Sequence, residues 1–251
     1  MTVSMRDVKL SVRKLGAIAL LTLACSWPIF AQATYELEHR EWAATGFAGA
    51  SLLGSREFPT TVIGSDLESS RTVGVSYKSG YEIGVRGTQN VNEYWAADLE
   101  YSFANQFLRF NNLSPDIQNL SLELFLHHLT YDVSYLPLPR TSRFRPYVAA
   151  GAGAALFYLP GRVKKDAAEL GLQLRDSWQL VFNWGGGAHY LVRDQFALTF
   201  DVKHRLSGVP SYGLPSSARV VNGQFQPGIA SHGVLQNWQL NFGLSFQWDE
   251  Y

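Results

Sequence analysis

Trp238-Gln-Leu-Asn-Phe-Gly-Leu-Ser-Phe-Gln-Trp248 decides the reading of this chain. Successive side chains of an extended strand point to opposite sides. Trp238, Leu240, Phe242, Leu244, Phe246 and Trp248 therefore share one face, and Gln239, Asn241, Gly243, Ser245 and Gln247 share the other. One side is large and apolar, the other small or polar. Strands of a soluble sandwich also alternate, so length has to arbitrate. This pattern runs from about Val234 to Trp248, whereas strands of soluble domains average about five or six residues. A strand tilted across an outer membrane needs roughly 9–11. The apolar face is thus expected to meet lipid and the polar face a lumen.

The same ribbon recurs upstream. Phe196, Leu198, Phe200 and Val202 oppose Ala197, Thr199, Asp201 and Lys203; Trp95, Ala97, Leu99, Tyr101 and Phe103 oppose Ala96, Asp98, Glu100, Ser102 and Ala104. Val73, Val75, Tyr77, Tyr81, Ile83 and Val85 are read as one outward face. Eight strands are expected, at about 42–53, 72–88, 94–109, 119–136, 145–158, 176–191, 195–207 and 234–248. The segments between them alternate: 54–71, 110–118, 159–175 and 208–233 are long and polar, while 89–93, 137–144 and 192–194 are short. Long outer loops and short periplasmic turns mark outer-membrane barrels. Trp42, Tyr94, Trp95, Tyr135, Tyr147, Tyr190 and Trp248 would form the periplasmic aromatic girdle, and Phe110, Tyr158, Trp178 and Trp238 the outer one. The fourth strand changes phase between Leu120, Leu122, Leu124, Leu126 and Leu129, Tyr131, Val133, Tyr135, which predicts a β-bulge at His127-His128 or a strand starting near Phe125. The first and fifth strands are so rich in Ala and Gly that either face fits outward.

Residues 1–33 read as a secretory signal peptide, with Arg6, Lys9, Arg13 and Lys14 before the apolar run Leu15–Ala24 and Ala31-Gln32-Ala33 at the cut. The domain expected to remain is 34–251. Its removal of four basic residues and Asp7 leaves 17 basic and 20 acidic side chains, a net charge of −3, and takes away the single cysteine, Cys25. Stability without disulfides is therefore required. A charge balance near zero excludes the basic surface that nucleic acid demands. After Trp248 only three residues follow, so no periplasmic domain is expected beyond the barrel.

Arg145-Pro-Tyr-Val-Ala-Ala-Gly-Ala-Gly153 and Leu240-Asn-Phe-Gly-Leu-Ser-Phe-Gln-Trp248 resemble the fifth strand and the C-terminal assembly signal of the small eight-stranded outer-membrane barrels, the OmpA-type and OmpX-type membrane domains and the opacity-like porin group. The chain departs from that family in carrying Asp249-Glu250-Tyr251 after Trp248. The resemblance covers about 210 residues as a pattern and speaks of fold rather than activity. It implies contact with outer-membrane lipid and lipopolysaccharide, and use of the barrel-assembly machinery through the last strand.

The fold class expected is thus all-β: an eight-stranded antiparallel up-and-down transmembrane β-barrel in the cell outer membrane, as a monomer. By facing, Lys78, Glu82, Arg86, Asp98, Glu100, Asp132, Asp201, Lys203 and Arg205 would point into the lumen. An unpaired buried charge costs several kcal/mol, so a mutually paired plug is the expected arrangement; an ion path is the alternative. Lys78 and Glu82 are about 13 Å apart along a strand at about 3.3 Å per residue, which favours cross-strand partners. His127 and His128 lie on opposite faces, while His128 and His189 share the lumen, and no spacing supports a metal site. His204 with Ser207, and Ser231 with His232, are the nearest approach to a lipid-modifying triad, and neither has a His-x-Ser spacing. No catalytic residue, metal or cofactor is expected. The role expected is structural or surface-facing, with residues 208–233 as the best contact surface for a ligand.

Overall fold

A computed structural model describes residues 38–54, 58–63, 70–111, 119–169, 172–214, 219–221, 224–226 and 233–249. The expected signal peptide, Cys25 and the Ser231-His232 pair lie outside them. The strands are β1 (Trp42–Leu53), β2 (Phe58–Ile63), β3 (Ser70–Asn90), β4 (Trp95–Asn111), β5 (Asn119–Tyr135), β6 (Phe144–Tyr158), β7 (Ser177–Arg193), β8 (Phe196–Gly208), β9 (Arg219–Val221), β10 (Gln224–Gln226) and β11 (Val234–Trp248). One helix, α1 (Gly161–Glu169), follows β6. Antiparallel pairing runs β1-β11-β8-β7-β6-β5-β4-β3, and β1 pairs with β3 as well as β11. Eight strands therefore close on themselves, and β2 extends β3 past the point where β1 ends. The loop readings need correction here: 54–71 contains β2, 159–175 contains α1, and 208–233 contains the β9–β10 hairpin.

Outward alternation follows from the lipid environment. On β11, Phe242 is 62% and Leu244 55% exposed, and Trp238, Leu240, Phe246 and Trp248 are exposed beside them. Trp238 to Trp248 spans about 33 Å of strand, or roughly 25 Å of height at a tilt near 40°, which matches the apolar band of an outer-membrane barrel. Asn237, Gln239, Asn241, Ser245 and Gln247 are buried inside.

The interior departs from the expected pattern in three places. First, β5 keeps one phase and one register from Asn119 to Tyr135, with no bulge at His127-His128. Leu122, Leu124 and Leu126 point inward because the lumen's long-loop half is itself apolar. They pack with Leu108, Phe110 and Phe157 from the wall. Val163 and Ala167 of α1, Leu172 and Leu174, and Val209, Tyr212 and Leu214 fold down onto them as a cap. Phe110 is consequently buried and not part of a girdle. Second, β3 carries the bulge: Lys78 pairs with Phe107 but Tyr81 with Asn105, so three steps on β3 match two on β4. The extra residue inverts the phase. Tyr77 turns inward, where its hydroxyl lies 3.2 Å from that of Tyr212, and Lys78 turns outward. Third, Tyr147 faces the lumen, because on β6 the odd positions Arg145, Tyr147, Ala149 and Phe157 are the buried ones. The same parity turns Ala43, Thr45, Phe47, Ser51 and Leu53 inward on β1.

These two surfaces answer to different solvents. Leu124→Ala should cost about 2–5 kcal/mol through an unfilled core volume, and Leu244→Arg about 2–4 kcal/mol through a charge at the bilayer midplane. Urea unfolding from vesicles, followed by tryptophan fluorescence, measures both; a neutral Leu244→Arg would contradict the lipid-facing assignment.

Candidate functional site: the charged lumen

Seven charges meet in the middle of the barrel. Glu82 and Arg86 come from β3, Glu100 from β4, Asp132 from β5, and Asp201, Lys203 and Arg205 from alternate positions of β8. In the closed pairing order β8 and β4 stand four strands apart in either direction, diametrically opposite. Side chains from these two strands must reach across the full lumen to touch, and they do. Glu100 is the hub: its Oε2 accepts from Arg86 Nε and from Lys203 Nζ, each at 2.7 Å, and its Oε1 accepts from Arg205 Nη2. Arg86 Nη2 also donates to Asp201 at 2.9 Å, Lys203 Nζ to Asp132 at 2.7 Å, and Arg205 Nη1 to Glu82 at 3.0 Å. Glu100 is 1% and Arg205 2% exposed.

Neutral groups complete the cluster. Asn183 donates to Asp132 at 2.8 Å and Asn241 to Asp201 at 3.3 Å. Ser102 accepts from Arg205 at 3.0 Å and Tyr147 from Arg86 at 3.3 Å, while the Arg86 guanidinium lies 5.5 Å from the Phe47 ring centre. Multiple partners per charge are what a desolvated ion cluster needs to offset its loss of water. Space for the long cations comes from small residues on β6 and β7. A Cβ on Gly151 would stand 2.2 Å from Asp132 Oδ1, so only glycine leaves that carboxylate in reach of Lys203.

Two of the nine expected lumen charges stand apart. Lys78 is outside the barrel, for the register reason given above, and so takes no part in the lumen network. Asp98 is buried nearer the short turns, where it accepts from the Thr88 and Ser134 hydroxyls instead of joining the ion cluster. Asn241 was read on the inward face of the last strand, whereas Arg145, Asn183 and Tyr147 escaped the sequence reading as lumen residues. Their signal was the odd–even parity of β6 and β7, hidden because Ala and Gly fill both faces there.

The short-turn end is closed by different means. Arg145 donates to the Leu138 and Glu93 carbonyls and to Asn90 Oδ1, tying two turns together. His39, just before β1, is tucked beneath them with its backbone N–H on the Arg140 carbonyl at 2.9 Å. A cavity of about 20 Å³ lies between His39, His189, Arg145, Asp98, Thr88 and Ser134, among others, room for roughly one water-sized group. Burial, then the proximity of His189 and Arg145, hold the His39 imidazole neutral by lowering its pKa to about 3.

No group of three metal-ligating side chains comes together among the described residues. His128 faces in and is buried, His127 faces out with its Nδ1 2.8 Å from the Tyr101 hydroxyl. His204 faces the lipid side, stacked on Trp238 at 4.2 Å and edge-on to Trp184 at 5.3 Å.

With a closed eight-stranded wall, an apolar outer face and a charged centre in place, the comparison with known proteins is direct. The outer membrane protein beta-barrel domain profile matches residues 17–246. The chain belongs to that family. No curated protein sequence matches it. Among solved structures, OprG from Pseudomonas aeruginosa superposes with a TM-score of 0.54 at 14% identity, covering 86% of this chain and 100% of OprG. AlkL, determined by solid-state NMR in lipid bilayers, gives 0.48 at 15% identity over 89% of this chain and 95% of that one. The N-terminal β-barrel domain of Pseudomonas aeruginosa OprF gives 0.42 at 12% identity over 84% and 100%. At 14% identity the likeness to OprG is one of fold.

Glu100→Gln strips one charge from a hub shared by three cations and should destabilise the barrel by about 3–5 kcal/mol, the range for breaking a buried pair from one side; equilibrium unfolding tests it. The His39 contribution carries a pH sign. Its folded pKa lies below the ordinary 6.5, so its contribution is complete above about 6.5 and is lost as the pH falls toward about 3. His39→Gln, which takes up no proton, should therefore lose stability less steeply than the unaltered protein between those limits in a pH series of unfolding curves.

Proposed function

We infer that this chain is a non-conducting barrel of the cell outer membrane with a structural and surface-facing role, its short turns in the periplasm and its long loops outside. The observation that carries the reading is Glu100 bonded at once to Arg86 of the neighbouring strand and, across the diameter, to Lys203 and Arg205. An ion passing the centre would have to break these contacts in a low-dielectric interior where each is strong. Beyond that point it would enter the apolar core of Leu108, Leu122, Leu124 and Leu126, where a hydrated ion finds no ligands. Two barriers in series stand on one path, against the alternative of a small ion channel.

The remaining assignments rest on the same geometry. A fully closed sheet leaves no barrel edge for another copy to pair with, which supports a monomer. Leu240–Trp248 forms the seam with β1, which supports its use as an assembly signal. The chain is read as a non-enzyme: His204 is stacked on Trp238 and edge-on to Trp184 at the lipid face, and among the described residues it forms no bond to a serine or carboxylate. The long-loop end remains the surface that meets the environment.

Planar-bilayer recording of the purified, folded protein should show no steady conductance, and Glu100→Ala, which lifts only the first barrier, should not introduce one while the apolar core stays in place. Steady single-channel currents from the unaltered protein would overturn the closed-lumen reading in favour of the channel.

A further inference from the structure

The bulge in β3 has an outward product. Lys78 is exposed on the outer wall, and Arg109 stands two rungs farther toward the long loops on neighbouring β4, where it pairs with Ser76. The two are diagonal neighbours on one face, within the reach of long side chains. Among the described residues neither takes part in a salt bridge.

Their height is fixed by the strand. From Trp95 in the short-turn girdle to Phe107, the rung of Lys78, is about 40 Å of β4, or roughly 30 Å of height at a tilt near 40°. That lies just past an apolar band about 25 Å tall. The aromatic ring at this level agrees: Tyr81, Phe107 and Tyr158 are exposed there, and Tyr158 stacks on Phe125 with centroids 6.4 Å apart. Lys164 of α1 continues the basic row, 5.2 Å from the Tyr158 ring centre and paired with Asp176 at 2.8 Å. The nearby acid on the wall, Glu123, accepts from Asn105 at 3.3 Å. Cations directly above an aromatic girdle sit where lipid headgroups carry their phosphates.

We propose that Lys78 and Arg109 form a binding site for the phosphates of a phosphorylated glycolipid, the lipid A part of outer-leaflet lipopolysaccharide. Arg109 offers a forked donor set and Lys78 a point charge, the two ways proteins hold phosphate. The acyl chains of the same molecule lie against Tyr81, Phe103 and Phe107 below. This rests on the orientation adopted above, with the long loops outside.

The test uses the folded mature barrel in a nonionic detergent with a chelator present, so that divalent ions do not bridge lipid to Glu123. Binding is compared for diphosphorylated lipid A, its dephosphorylated form and phosphatidylglycerol, with inorganic phosphate as competitor. The double variant K78Q/R109Q should lose on the order of tenfold or more in affinity for the diphosphorylated form, since each basic residue at an anionic lipid surface contributes roughly fivefold. Affinity for the dephosphorylated form should not change. Gel mobility before and after boiling reports folding, and if the double variant fails that control, R109Q alone should lose roughly fivefold. Four results overturn the proposal: equal binding by variant and unaltered protein, no preference for the phosphorylated lipid, equal affinity for phosphatidylglycerol, or displacement by millimolar inorganic phosphate. Each leaves the conductance result untouched, so failure here and failure of the closed-lumen reading are separable.

Discussion

A backbone in hydrocarbon has no water to satisfy its amides and carbonyls, and everything else in this molecule depends on that constraint. It is met when β1 bonds to β11 on one side and to β3 on the other. Closure fixes the rest in order. Strands must be long enough to cross, their side chains must divide strictly into outward and inward sets, and eight of them leave a lumen that side chains can fill. The outward set then faces a solvent as apolar as itself, so its large residues gain little from one another and serve mainly to match the bilayer. Cohesion has to come from backbone hydrogen bonds and from the interior.

That interior is three different materials stacked along one axis. Hydroxyls, amides and Arg145 close the short-turn end; an ion cluster fills the middle; leucines and aromatics under α1 fill the long-loop end. The middle is the costly layer, because seven charges give up water at once. Its compensation is geometric. Three cations converge on one carboxylate; Asp132 and Asp201 each keep an asparagine as a second donor, and Glu82 shares Arg205 with Glu100 through the other guanidinium nitrogen. The apolar layer needs no such matching, only volume, and it borrows its volume from loop segments as well as from strands. A side chain such as Leu172 therefore belongs to the barrel's core although it belongs to no strand.

This layering explains what the sequence disclosed and what it withheld. Where the lumen is polar, hydrophobic periodicity is a faithful record of facing, and the limits of β1 and β11, the outward face of β11, and the inward Asp201, Lys203 and Arg205 could all be read from it. Where the lumen is apolar, both faces of a strand are apolar and periodicity falls silent. The Leu122–Leu126 run looked outward for that reason, and the change to Leu129 looked like a bulge. The true bulge, at Ser79-Gly80, left an unbroken alternation of residue types on either side, so Tyr77 and Lys78 were each assigned the other's environment. On β6 and β7 the inward positions are small because long cations need the room, which erased the contrast that would have revealed Arg145 and Asn183. The helix α1 lay within a stretch read simply as polar loop, its two buried residues, Val163 and Ala167, too few to announce an element.

The arm ahead of β1 has a bearing on how the molecule assembles. His39 reaches a carbonyl in the turn between β5 and β6, Asn90 at the end of β3 bonds back to Glu41 and Arg40, and Arg40 grips Asp249 just past β11. Those partners come from both flanks of the seam and from the far side of the same rim, and they stand together only once the cylinder has been sewn shut. The arm is thus a fastening whose full set of contacts exists only in the closed cylinder.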